Sequence, residues 1–376
     1  MSMRRVTGLT HKKPRMSDDQ KMNRNAMDRV VQSEMEPLGQ GRRRLIEIGV
    51  FVALLIGAVF ALPGLGDLRD RLAGADPRLI AVAAILEVGS CLAFVAAFRG
   101  VFSRQLSWRF SYKVGMAEQA ANVLLPTGGA GGLALGAWAL RRIGMPAERI
   151  GRRTVAFFLV TSSINFIAVV IAGIAVGFGL LPGERAMAMA LVPAAITAVG
   201  ILGVVLAPRL LDGAEAGEGG RLRRAVASGR GHLAGGIRDA VRLLGSGRPS
   251  VTFGAVGYMA LDVAALAVAF AALGGGAPGL GGFVLAYTLG QLGGIVPVPG
   301  GVGGTDGGLI LAFGLLGTPI AITGAAVIAY RVFQLGVPAI LGIAAFGSLR
   351  RSLNGEHAHS EAPRTARGGC LELEVA

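Results

Sequence analysis

The chain has 376 residues, 52% of them apolar and 16% charged, with a formal net charge of +14 and a mean hydropathy of +0.59. Apolar runs of about 20 residues match the ~30 Å hydrocarbon core of a bilayer, which argues against a soluble enzyme and for a polytopic membrane protein. The excess Lys and Arg fall in loops between apolar runs, which reads as cytoplasmic exposure rather than as a nucleic-acid surface, and no nucleic-acid partner is expected.

Residues 1–44 are polar and basic, too poor in apolar side chains to bury a core, and are expected to be disordered, as are residues 349–376. Between them lies one membrane domain, 45–348. Six runs are long enough to cross: Leu45 to Leu62, Leu79 to Phe98, Thr154 to Leu181, Met187 to Ala207, Val251 to Leu273 and Ile320 to Phe346.

Two further apolar stretches are broken by glycine. Val114 to Leu125 and Leu133 to Leu140 flank Pro126-Thr-Gly-Gly-Ala-Gly-Gly132, and Phe283 to Val298 and Leu309 to Leu316 flank Pro299-Gly-Gly-Val-Gly-Gly304. Most of these arms reach only on the order of 12 to 18 Å as helices, so each pair is expected to form a re-entrant hairpin. The two breaks are in register, since Gln119 precedes Gly128 by the same interval that Gln291 precedes Gly300.

Loop charges set the orientation. Arg42 to Arg44 place the N-terminus inside, while Asp67, Arg69, Asp70, Arg71, Asp76 and Arg78 balance, as suits an outside loop. Arg99, Arg104, Arg109 and Lys113 before the first hairpin, and Arg141, Arg142, Arg149, Arg152 and Arg153 after it, have it enter from and return to the cytoplasm. The arginine-rich loop 208–249 is inside, the second hairpin is bounded by uncharged loops and enters from outside, and Arg350-Arg351 return the C-terminus to the cytoplasm. The expected fold is therefore all-α: about six transmembrane helices and two re-entrant hairpins, in an inverted repeat of halves 45–181 and 187–346. The location implied is a bacterial plasma membrane.

Within loop 208–249, Leu222, Val226, Leu233, Ile237, Val241 and Leu244 keep mostly helical spacing, while Gly229, Gly231, Gly235 and Gly236 each cost roughly 1 kcal/mol against alanine in a helix. An interfacial helix and a solvated linker are both open.

A glycine break inside a membrane frees backbone groups that need protein or a polar cavity around them. Helices restarting near Leu133 and Asp306 would aim their N-terminal dipoles at mid-membrane, where an anionic headgroup could bind. Close packing through small residues is the alternative. Charged residues inside runs are the second signal, because insertion there costs about 2.5 to 3.5 kcal/mol. These are Glu118, Asp262, Asp306 and Arg331, with Glu87 weaker; Arg331 pairs with Asp306 or Asp262 and is the one strong cation open to a buried phosphate. Asn122, Asn165 and Gln334 read as interhelical hydrogen-bond glue. His11, His232, His357 and His359 all fall in tails or loops, Cys91 lies inside a span and Cys370 in a tail, which speaks against a bridge, and no nucleotide, zinc or nucleophile motif occurs. No metal, cofactor or catalytic residue is expected.

Pro297-Val-Pro299-Gly-Gly-Val-Gly303-Gly-Thr-Asp306 is similar to the Pro-x-Pro-Gly-Gly-x-Gly-x-x-Glu pattern of the lysylphosphatidylglycerol synthase transmembrane region, the flippase-like or UPF0104 family, and Leu261-Asp262, Tyr330-Arg331 and Pro338 also resemble it. The likeness spans about Arg44 to Phe346; Asp306 stands for the usual glutamate, and Gly-Gly-Ala-Gly-Gly in the first hairpin is less polar than the pattern. The resemblance implies lipid translocation, with anionic phospholipid or a lipid-linked headgroup as partner. An enzyme on a polyprenyl-phosphate or phospholipid donor and a small-solute transporter are the alternatives, and homo-oligomerisation is left open. The family's aminoacyl-transferase domain has no counterpart in these residues, so lysyl transfer is not expected of them. Candidate substrate contacts are Arg331, Tyr330, Asp306, Pro299, Gly300, Gly301, Gly303, Gly128, Gly129, Gln119 and Gln291. Glu118 and Asp262, with Asp306, would balance charge, with proton coupling as an option.

Overall fold

The computed structural model describes residues 66–125, 127, 129–181, 187–211, 221–295 and 299–361. All regular structure among them is helical: α1 (Gly66–Ala73), α2 (Pro77–Phe102), α3 (Trp108–Leu124), α4 (Ala130–Arg142), α5 (Ala147–Gly177), α6 (Met187–Leu211), α7 (Arg221–Gly245), α8 (Pro249–Ala272), α9 (Leu280–Gln291), α10 (Gly304–Leu315) and α11 (Ile320–Glu361), with 3-10 turns at Leu292–Ile295 and Pro299–Gly301. Among the described residues five stretches are long and apolar enough to cross a membrane: Pro77–Phe102, Ala147–Gly177, Ala190–Arg209, Pro249–Ala272 and Ile320–Leu353. The expected first span, Leu45 to Leu62, lies outside the described residues, as do residues 1–44, 362–376 and Gly128. The C-terminal boundary at 348 is too early. Helix α11 continues to Glu361, with Leu349 and Leu353 packed in the core, and Lys113 Nζ reaches Ser352 Oγ at 2.7 Å.

Helices α2 and α8 form the centre. Asp76 caps α2 by accepting from Arg78 N at 2.8 Å, and Pro77 at its first turn has no N–H to leave unpaired. The two helices run antiparallel: Asp76 N donates to Ala272 O at 2.9 Å, Ser90 Oγ to Tyr258 O at 2.9 Å, and Gly100 lies against Ser250. Gly254 makes the approach possible, since a Cβ there would sit 2.5 Å from the backbone N of Ala97. Because the first hairpin follows the C-terminus of α2 and the second that of α8, the antiparallel pair makes them enter from opposite ends of the bundle.

The packing respects the repeat. In the first hairpin α3 turns into α4, and α3 lies along α11; in the second α9 turns into α10, and α9 lies along α5. Each hairpin thus leans on the last span of the other half. Phenylalanine clusters hold the two ends, Phe94, Phe98, Phe102 and Phe157 at one and Phe270, Phe283 and Phe313 at the other. Phe98 and Phe270 stand at the same offset as Gln119 and Gln291, so the register of the breaks extends into the central helices. Outward-facing Ile85, Ile171, Ile196 and Val199 are exposed, which is the pattern of a lipid-facing surface.

Loop 208–249 holds a helix, α7, that is neither a linker nor a free interfacial helix. Its buried face is Ala234, Ile237, Ala240 and Leu243, packed against α5 and α6. Of the expected apolar stripe, Leu233 and Val241 are exposed, and the side chains of Leu222 and Val226 lie outside the description. Gly235 and Gly236, counted as helix-weakening, are contact residues: added Cβ atoms would lie 2.9 Å from Arg152 Nε and 2.5 Å from Val155 Cβ. Buried Asp239 locks the face with Arg152 Nη2 at 3.1 Å and Arg153 Nε at 3.9 Å.

The bundle end where α2 and α11 finish carries most of the basic residues, and Arg99 stacks there over Trp108 at 4.7 Å. Asp70, Arg71, Asp76 and Arg78 lie at the other end.

Candidate functional site

Both glycine breaks end beside one cavity of about 420 Å³. The chain reverses through Gly129 (φ 90°) in the first hairpin and through Gly300 (φ 62°), Gly301 (φ 66°) and Gly303 (φ 82°) in the second, left-handed conformations that favour glycine. Gly129 and Gly301 are equivalent positions of the two breaks, so the left-handed backbone repeats with the sequence. Gly300 must also stay small, because a Cβ would lie 2.7 Å from Leu335 Cδ2.

The polar lining comes from several directions: Glu87 on α2, Gln119 and Asn122 on α3, Tyr258 and Asp262 on α8, and Arg331 and Gln334 on α11, with Gln291 and Thr305 from the second hairpin. Val123, Phe158, Leu335 and Pro338 supply apolar wall. Phe158 lines the cavity and is also 54% exposed on the outer face of α5, so the cavity reaches the apolar perimeter of the bundle.

One hydrogen-bonded chain crosses the site. Arg331, 6% exposed, sets Nε 2.6 Å from Asp306 Oδ1, a close ion pair not aligned as a hydrogen bond. Its two terminal nitrogens donate to Gly300 O and Gln334 Oε1. Gln334 Nε2 donates in turn to Asp262 Oδ2 at 3.4 Å, a long bond, and Asp262 also accepts from Tyr330 Oη at 2.8 Å and from Tyr287 Oη. The guanidinium therefore pairs with Asp306, and Asp262 is joined to it through Gln334. Asp306 does double duty, accepting from Gly303 N at 2.8 Å at the start of α10.

Other expected residues fall differently. Gln119 lines the cavity and its Nε2 donates to Cys91 O at 3.4 Å; Gln291 lines it from the opposite hairpin. Tyr330 is fully buried behind the cavity and meets it only through Asp262. Pro299 begins the 3-10 turn ahead of Gly300. Glu118, 2% exposed, is not in the cavity but inside the first hairpin, against Gly136. Helix α4 restarts at Ala130 rather than Leu133, and its early N–H groups are engaged: Gly131 N donates to Thr127 Oγ1 at 2.9 Å and Gly132 N to Asn122 Oδ1 at 3.1 Å. Asn122 thus bonds within its own hairpin while lining the cavity. Asn165 is not among the lining residues.

Sequence reasoning underrated Glu87 and missed the contribution of Tyr258, Tyr287 and Thr305, while Gln334, expected as interhelical hydrogen-bond glue, does bond Asp262 on α8. Gln334 stands one helical turn after Arg331 and Tyr287 one turn before Gln291, so i, i+3 and i, i+4 spacing from a charged or repeated residue was the available signal. Glu87 meets Asp262 because the antiparallel register of α2 and α8 sets Gly89 beside Leu261.

Residues 45–342 match the family model described as the lysylphosphatidylglycerol synthase TM region. No curated protein matches the sequence.

Proposed function

Because the chain belongs to the lysylphosphatidylglycerol synthase TM region family, whose members are membrane proteins linked to lipid handling, we propose that it is a lipid translocase that moves an anionic or lipid-linked headgroup between leaflets. The observation that carries this reading is the buried Arg331 in a polar cavity whose edge, at Phe158, reaches the lipid-facing perimeter. A headgroup phosphate in hydrocarbon needs a fixed cation and hydrogen-bond donors, and a guanidinium is the side chain best suited to two phosphate oxygens at once. Arg331 is held ready by Asp306, while Gln119, Gln291, Asn122 and Thr305 offer amide and hydroxyl groups around it. The acyl chains remain outside, against the exposed apolar faces. A cavity with a lateral edge suits a lipid better than a small solute entering from water.

Both hairpins meet at this cavity from opposite ends, which suits alternating access by rocking of one half against the other. The basic end is read as cytoplasmic, with both termini there, in a bacterial inner membrane. Purified protein in vesicles carrying a fluorescent anionic phospholipid tests the reading: leaflet-resolved quenching should report headgroup movement that Arg331→Ala abolishes. Movement of unchanged rate in a folded Arg331→Ala variant removes the arginine from the mechanism, and chemically altered lipid indicates an enzyme instead.

A further inference from the structure

The carboxyl groups at depth in the described bundle differ in what occupies them. Asp306 is taken up by Arg331 and Gly303 N, and Asp262 by Tyr330, Tyr287 and Gln334. Glu118 and Glu87 each keep a buried Oε2 with no hydrogen-bond partner. They are separated by access. Glu118 is sealed between the arms of the first hairpin, whereas Glu87, 4% exposed, lines the cavity. A carboxyl that takes up a proton needs a free oxygen and a place beside polar space, and Glu87 combines an unpartnered Oε2 with a position on the cavity wall.

We propose that Glu87 is a proton-binding site of the translocase, taking one proton at Oε2 from one side of the membrane and releasing it to the other in each cycle. This rests on the translocase reading above. The titratable and charged groups facing Glu87 are Cys91 on its own helix, Tyr258 and Asp262 on α8, Tyr330 and Arg331 on α11, and, through Asp262, Tyr287 on α9. A proton fits this setting better than a metal cation. Asp262 already accepts from three donors, and among the described residues no three His, Cys, Asp or Glu side chains form a metal-holding group. Loss of the proton places a second negative charge beside Asp262, which Gln334 ties to Arg331, so proton and headgroup act on one network.

The test uses full-length protein in vesicles with a fluorescent anionic phospholipid and an imposed pH gradient, together with infrared difference spectra between acid and alkaline pH. The wild type should move lipid several-fold faster with the gradient than without it and show the band of a titrating carboxyl. Glu87→Gln should lose the band and move lipid at one rate in both conditions, while Glu87→Asp, which keeps a carboxyl, should retain part of the gradient response. A band or a gradient response that survives in Glu87→Gln overturns the proposal, as does a sodium gradient that drives the wild type at equal pH. A band lost in Glu87→Gln with no lipid movement by the wild type sinks the translocase reading and the coupling with it, but leaves the proton site standing.

Discussion

Neutralising Asp306 and Arg331 singly and together separates the structural share of their ion pair from its functional share. Arg331→Met leaves the Asp306 carboxylate without its cation and Gly300 O and Gln334 Oε1 without their donors. Breaking a buried pair from one side costs about 3–5 kcal/mol. The Asp306 side chain is 23% exposed, which screens the stranded charge and puts the expected loss near the lower bound, ~3 kcal/mol. At roughly 2 °C per kcal/mol, the melting midpoint in detergent should fall by about 6 °C. Asp306→Asn should lose a similar amount, since it strands the guanidinium. The double variant removes both charges, and the cycle should show a coupling of about 2 kcal/mol, so that it loses about 4 kcal/mol rather than the sum of about 6. Lipid movement should not return, because the cation proposed to bind the headgroup phosphate is gone. Single variants that melt like the wild type, or a double variant that loses the sum of both, would refute the claim that the pair is energetically coupled; a translocating double variant would refute its role in headgroup binding.

Two further outcomes are expected elsewhere in the bundle. Gly136→Ala should loosen the first hairpin, since the new methyl would overlap the Glu118 carboxyl, and the resulting loss of about 1–3 kcal/mol in thermal unfolding should be largely recovered in Gly136→Ala/Glu118→Ala; an undamaged single variant would contradict the packing. Asp239→Asn should release α7 from α5, and because Arg152 is 40% exposed the expected cost is only about 1 kcal/mol, read as faster hydrogen exchange confined to 229–245. Exchange unchanged there would show that apolar contacts alone hold the helix.

Much of this architecture was legible in the sequence because membranes leave few options. Short apolar arms around paired glycines cannot cross, so α3–α4 and α9–α10 had to turn back. Loop charge alone separated the basic end from the other. The helix α7 was obscured because glycine carries two meanings: in isolation Gly235 and Gly236 are costs to a helix, and only the neighbouring Arg152 and Val155 reveal them as points of contact. The site was legible as a set of types and not as a network. Arg331 lies on a different helix from either acid and could have been paired with equal reason to Asp262 or Asp306; which of them takes it depends on Gly303 fixing Asp306 at the start of α10. Glu87 and Asp262 meet through a helix-to-helix register that no repeat in the sequence encodes, and Glu118 was misdirected because its side chain's heading along α3 is invisible without α4.

The position equivalent to Arg331 in the first half is Leu159, and among the described residues lining the cavity no cation comes from that half. The two halves therefore share a shape without sharing an electrostatic anchor. If each half were to take up the other's conformation, the resulting molecule would be the mirror of the first in outline and unequal to it in energy. On the translocase proposal, interchangeable halves would have no preferred resting side, and the Arg331–Asp306 tether on the second hairpin is the feature that would supply one.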